Sequence, residues 1–202
     1  MLRLICCLIT LAWLFPAPAF PADLTAVTPV CNGCHGDNGV SVNNIVPTIA
    51  GQPFTLIEDN LLAFRDGERT CDETPFMKGE SVALVSAMCA IVATLGDNEI
   101  TMLAEFYEKQ AFEPAIQSFD PGLATRGFGI HQEGGCELCH SNGGRESNGM
   151  SAILAGQWSP YLERSLLRIR AGERAGPKVM NRAIRDLSDA DIAALLNYYA
   201  SP

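Results

Sequence analysis

The chain of 202 residues is short of basic side chains: 14 Lys and Arg face 23 Asp and Glu, giving a formal charge of −9 at pH 7. Nucleic acid is therefore disfavoured as a partner, because its phosphates call for the opposite sign. Long apolar runs are scarce too. The run at residues 4–15 is shorter than the ~20 residues a bilayer-spanning helix needs, and prolines follow it at 16, 18 and 21. With Arg3 ahead of it and small residues behind, this segment reads as an export signal, residues 1–22, cut after Ala19 or Ala22. No later stretch is long and apolar, so the mature chain is expected in the periplasm with no integral membrane span. Convincing period-two alternation is also missing, which argues against a sheet protein.

What the chain does have is cysteine. Of eight, Cys6 and Cys7 lie in the signal, Cys31 and Cys34 form one close pair, Cys136 and Cys139 another, and Cys71 and Cys89 remain. In an oxidising compartment the last two can form a disulfide or stay as separate thiols.

The chain also repeats. Residues 31–69 match residues 136–174 without a gap: Cys31, Cys34 and His35 fall on Cys136, Cys139 and His140, and Ala50-Gly51-Gln52 falls on Ala155-Gly156-Gln157. Gly67-Glu68-Arg69 likewise falls on Gly172-Glu173-Arg174. A shifted register then takes Met88 to Met180, Leu95 to Leu187, Ile100 to Ile192 and Tyr107 to Tyr199. The first copy thus carries about thirteen extra residues, with Cys71 and Met77 in that region. Two domains are expected, 23–107 and 120–202, joined by an ordered connector at 108–119 that lacks Gly/Ser richness.

Each copy reads as helices and loops. Apolar residues recur at i, i+3, i+4 and i+7 in Ile100, Leu103, Ala104, Tyr107 and in Ile192, Leu195, Leu196, Tyr199, predicting a core-facing final helix in each copy. Ser188 with Asp191 makes a capping box for the second, and Gly96 or Asp97 caps the first. Middle helices are expected near 53–66 and 160–171, closed by Gly67 and Gly172. Domains of ~80 residues are small for a self-sufficient core, so a large buried cofactor should supply much of what each packs around.

The cofactor follows from the paired motifs. Cys31-Asn32-Gly33-Cys34-His35 and Cys136-Glu137-Leu138-Cys139-His140 have the spacing of c-type haem attachment. Two thiols about one helical turn apart can add to the two haem vinyl groups, and the following histidine points at the iron from the same side. Zinc would want further Cys or His ligands, and a redox dithiol would want a βαβ setting; neither is present. Two haem c groups with iron are therefore expected, and the job is the passage of single electrons.

Each iron needs a second axial ligand. Of only three histidines, the spare, His131, reads as a surface residue. Methionine is the better candidate, because thioether sulfur binds iron. Met88 and Met180 occupy equivalent places and are assigned, with Met77 a rival to Met88 for the first iron. At the loop around Pro47, where the second copy has Ala152, a carbonyl would accept the Nδ1–H of His35. Trp158 is read as packing against the second haem or the domain interface. Arg65, Arg69, Arg170 and Arg174 are either partners of haem propionates or solvated surface.

The order Cys-x-x-Cys-His, Ala-Gly-Gln, Arg-x-Gly-Glu-Arg, Met, Leu-(Gly/Ser)-Asp-x-(Asp/Glu)-Ile, twice over, resembles the two-haem cytochrome c4 family. Residues 113–120 and 153–162 are similar more particularly to the cytochrome subunit of flavocytochrome c sulfide dehydrogenase. The resemblance implies an all-α fold of two tandem class I cytochrome c domains, each wrapped around a covalently bound haem. It also implies a flavoprotein partner that oxidises sulfide and passes electrons to this chain, which would do no catalysis alone. The alternative is a free-standing carrier delivering electrons to a terminal oxidase.

Overall fold

The computed structural model describes residues 24–71, 73–75, 85–174 and 176–202. The export signal expected at 1–22, and Met77, lie outside them. The first copy runs through α1 (Leu24–His35), α2 (Phe54–Arg65), α3 (Met88–Val92) and α4 (Asp97–Glu108). In the second copy the order is α5 (Pro121–Glu133), the short turn α6 (Ser141–Gly144), α7 (Ser159–Ala171), α8 (Lys178–Arg185) and α9 (Asp189–Ala200).

Both final helices bury the stripes read from the sequence. Ile100, Leu103, Ala104 and Tyr107 form the first core with Ile57, Val92 and Leu95, while Ile192, Leu195, Leu196 and Tyr199 form the second with Leu162. Complete burial of side chains this size contributes about 1.5–3 kcal/mol each, which makes these helices the spine of each copy. The Ser188 hydroxyl accepts from Asp191 N–H at 3.2 Å while Asp191 accepts from Ser188 N–H at 3.0 Å, closing the capping box. On α4 the same position is Gly96, whose N–H donates to Glu99 at 2.8 Å. Gly172 ends α7 with φ of 76°, the left-handed cap that glycine adopts without a steric penalty.

α5 crosses α9 at its closest point through Gly127, where a Cβ would stand 2.1 Å from the Ala194 carbonyl oxygen. Only a residue without a side chain lets the two backbones approach this far.

One element departs from the all-helical reading. In the insertion of the first copy, β1 (Glu73–Pro75) pairs antiparallel with β2 (Val85–Ala87), Glu73 opposite Ala87. A disulfide joins Cys71 to Cys89 just outside the pair, with Cα atoms 5.9 Å apart. Covalent closure brings the two chain segments alongside, so the ribbon needs no alternating pattern to find its register.

The connector is held by hydrogen bonds. Ala115 N–H donates to Gly156 O at 2.7 Å, and the Gln117 side chain spans from Gln157 O (2.7 Å) to Ser159 N–H (2.9 Å). Among the described residues, no helix is long and apolar enough to cross a membrane.

Candidate haem sites

Cys31, Cys34 and His35 occupy the last turn of α1, whereas Cys136 starts a tight single turn that leads to Cys139 and His140. None of these four cysteines is in a disulfide, and all four are half-buried. Burial pushes the Cys31 and Cys136 thiols above their ordinary value, so both are neutral at pH 7. That is the opposite of a redox dithiol, whose attacking cysteine is held low.

The two histidines are set alike. His35 Nδ1 lies 2.8 Å from Pro47 O, and His140 Nδ1 lies 2.7 Å from Ala152 O. A carbonyl only accepts, so each Nδ1 carries the proton and each Nε2 keeps its lone pair. Burial lowers the pKa of both rings and keeps them neutral. A buried neutral imidazole, fixed in rotation and tautomer with Nε2 presented, is the form that ligates a metal. These residues fit the group the motifs imply: vinyl-reactive thiols and a metal-ready imidazole, twice, in equivalent surroundings. The loops that hold them are equivalent as well, since Gly51 and Gly156 N–H each donate at 2.8 Å, to Tyr107 O and Tyr199 O.

Met88 opens α3 and packs, half-buried, against the first core. Met180 sits in the first turn of α8, also half-buried. Each precedes a buried aliphatic residue four positions on, Val92 and Ile184. Each methionine thus stands in the first turn of its helix.

His131 is not on the surface. It is wholly buried on α5, with Nδ1 2.9 Å from Tyr199 Oη and Nε2 2.8 Å from a Glu137 carboxylate oxygen. Glu137, inside the second Cys-x-x-Cys-His motif, also accepts from Gly143 and Asn142 N–H. The Gly143 N–H first, and His131 next, hold its carboxyl below the ordinary range. In the first copy the equivalent Tyr107 donates directly to Asn32 Oδ1 at 2.9 Å.

The arginines divide into two sets. Arg65 reaches Asp97 at 2.7 Å and Arg170 reaches Asp189 at 2.6 Å, each tying a middle helix to the first residue of the final one. Arg69 instead lies 4.3 Å over the Phe64 ring and approaches Tyr161 together with Arg174. Burial would raise the Tyr161 phenol, but Arg174 and Arg69 outweigh it and bring the pKa to about 7. A half-buried cationic pocket of this kind suits anionic groups such as haem propionates.

Of the contact between the copies, only Trp158 was foreseen; the glutamine bonds were not. Gln157 Oε1 accepts from Thr48 N–H at 3.1 Å and its Nε2 donates to Thr48 O at 2.6 Å. Gln52 does the same to Ile153, the residue equivalent to Thr48, at 3.0 and 3.2 Å. Trp158 Nε1–H donates to Ser41 O at 2.9 Å, which places that ring in the inter-copy contact, and Arg164 donates to Ile45 O at 2.8 Å. The repeated Ala-Gly-Gln was the available signal.

Two helical units, each bringing a Cys-x-x-Cys-His motif to a carbonyl-oriented histidine and setting an equivalent methionine before its final helix, define a two-haem c-type cytochrome. No protein-family model matches the chain. It is 27% identical over 187 residues to cytochrome c4 of Pseudomonas aeruginosa, covering 86% of this chain and 84% of that protein. It is 34% identical over 80 residues to cytochrome c-554(548) of Halomonas halodenitrificans, covering 40% and 83%. A protein of Thiomonas intermedia named thiosulfate dehydrogenase electron acceptor is 27% identical over 197 residues, covering 91% and 84%. The crystal structure of cytochrome c4 from Pseudomonas stutzeri superposes with a TM-score of 0.69 at 26% identity, covering 88% and 97%. Over most of its length the chain is similar to the two-haem cytochromes c4. It is an all-α electron-transfer protein of two tandem class I cytochrome c domains that carries two covalently bound haem c groups.

Proposed function

We propose that Cys31 and Cys34 hold the first haem and Cys136 and Cys139 the second, with His35 and Met88 as axial ligands of one iron and His140 and Met180 of the other. The observation that carries this is the pair of Nδ1–H to carbonyl bonds, to Pro47 and Ala152, which leaves Nε2 free in both copies. Haem iron supplies a one-electron couple, and a Met/His ligand pair raises its potential relative to bis-histidine. The protein's own part is placement. Pro47 and Ala152 hold the imidazoles, α3 and α8 hold the methionines, and the thiols anchor the macrocycles. The boundaries that follow are 23–107 and 120–202, with 108–119 between them and residues 1–22 removed on export to the periplasm.

The same reading makes this chain the electron acceptor of a dehydrogenase that oxidises a reduced inorganic sulfur compound. The Thiomonas intermedia relative, alike along most of both chains, supports it. So does the similarity of residues 113–120 and 153–162 to the sulfide dehydrogenase cytochrome, where Ile116 stands 97% exposed for a partner to cover. Its particular form is the cytochrome subunit of a flavoprotein sulfide dehydrogenase. The likeness to cytochromes c4 over most of the chain supports the second form, a free-standing carrier serving a terminal oxidase. A permanent subunit would bury more than ~2,000 Å² against its flavoprotein, a carrier far less.

Mass spectrometry of the exported protein should show two haem additions, and Met180→Ala should remove the sulfur-to-iron absorption band of one haem. A chain with one addition, or a variant with both bands, refutes the ligand assignment. Separate Met77→Ala and Met88→Ala exchanges decide the first iron. Purification from native cells with a tightly bound flavoprotein selects the subunit form, and recovery as a lone two-haem protein selects the carrier.

A further inference from the structure

The inter-copy glutamines do not grip arbitrary residues. Thr48 N belongs to the same peptide unit as Pro47 O, the acceptor of His35 Nδ1–H, and Ile153 N belongs to the same unit as Ala152 O, the acceptor of His140 Nδ1–H. An unbroken line therefore runs from each histidine through one peptide to a glutamine of the other copy. The amide orientations follow from the bonding: Oε1 must face the N–H and Nε2 the carbonyl, and a flip would set donor against donor and acceptor against acceptor at both ends. Thr48, Gln157 and Gln52 are 1%, 3% and 4% exposed, so water does not compete for these bonds.

Peptide resonance links the two ends of each unit. An acceptor on the N–H shifts electron density toward the carbonyl oxygen, and hydrogen bonds in such a chain strengthen one another by roughly 10–30% each. A stronger carbonyl acceptor draws the Nδ1 proton further, which makes Nε2 a better donor to iron and favours the oxidised metal.

We propose that Gln157 and Gln52 are positioning residues that act across the copies: Gln157 lowers the reduction potential of the first haem, and Gln52 that of the second. The inference rests on His35 and His140 as iron ligands. Each copy thereby sets the other's potential, and the inter-copy contact is part of the redox tuning as well as of the architecture.

The test uses the full-length, two-haem protein. Individual potentials come from spectroelectrochemical titration in a Met180→His background, where bis-histidine ligation lowers the second haem out of the window and leaves the first to titrate alone, and in the Met88→His mirror. Gln157→Leu removes both bonds to Thr48 and should raise the first haem, by about threefold to tenfold in its ratio of reduced to oxidised forms at fixed poise, tenfold being ~59 mV for one electron. The second haem should stay put. Gln52→Leu should show the reverse. Gln157→Glu keeps an acceptor for Thr48 N–H and should leave the first haem at or below its wild-type potential, and it carries the test alone if the leucine variants do not fold. A shift confined to the haem of the mutated copy, an equal shift of both haems, or no shift overturns the proposal. So does a Gln157→Glu protein whose first haem rises as it does in Gln157→Leu. Failure of the ligand assignment looks different, because both haems would then stay in the high window in the Met180→His protein.

Discussion

Replacing Cys71 and Cys89 together by serine should destabilise the first copy by ~3 kcal/mol. The bridge joins residues 18 apart. For a loop of that size the closure entropy removed from the unfolded chain is about 11 cal/mol/K, or ~3 kcal/mol at 25 °C. The effect is local in the folded state, because Cys89 follows Met88 at the start of α3 and its N–H donates to Cys71 Sγ at 2.9 Å. Opening the bridge therefore also loosens the segment that presents Met88. The assay is guanidinium unfolding of the ferric two-haem protein, followed by helical circular dichroism and by the sulfur-to-iron band. The double variant should lose about half of that band at lower denaturant than wild type, with the rest leaving at the wild-type midpoint. Wild type whose bridge has been opened with a thiol reductant, its new thiols alkylated, the reductant removed and the haems re-oxidised should behave as the variant does. A midpoint unchanged to within ~0.5 kcal/mol would refute the loop-closure reasoning, since that is the scatter of a neutral surface substitution. Early loss of the Met180 half would refute the local placement.

Gly127→Ala puts a methyl 2.1 Å from the Ala194 carbonyl oxygen, so α5 and α9 must separate; a loss of roughly 3 kcal/mol or more is expected in thermal unfolding, and a loss under ~1 kcal/mol would contradict the close crossing. His131→Leu strands the Tyr199 hydroxyl and one Glu137 bond, for an expected cost of about 1–3 kcal/mol by urea titration. Glu137 titrates below its ordinary 4.5, so its contribution is complete above that pH and is lost as acid carries the solution through the folded value. The stability gap between wild type and Glu137→Gln should therefore be constant from neutrality to about pH 4.5 and shrink below it, and a gap that widens in acid would refute the assignment. Ser188→Ala breaks the capping box of α9 and should cost ~1 kcal/mol, measured by the same melts.

What could be read from residues alone was local or repeated. The stripes of α4 and α9 were legible because a 3.6-residue period needs no tertiary information. The histidine-to-carbonyl bond was legible because donor and acceptor lie only 12 residues apart in both copies. His131 was misread because one of its partners, Tyr199, is 68 residues away, and nothing near a lone histidine announces that a helix crossing will enclose it. The two salt bridges went unread for a similar reason: Arg65 and Arg170 point to helix starts, Asp97 and Asp189, that pair with them only once each copy has packed. The ribbon depended on a covalent link that spacing left open. Gln52 and Gln157 stood in a repeated tripeptide, yet their targets lie in the opposite copy, and a repeat says which residues are alike, not which ones meet.

The reciprocal glutamine bonds have the geometry of an isologous dimer, in which one patch is used twice about a two-fold axis. Fusing the two copies through a short tether makes that association intramolecular, at an effective concentration of about millimolar or more, so a patch too weak to hold separate molecules at cellular levels stays closed. Neither iron's surroundings then vary with how much of the protein the cell makes.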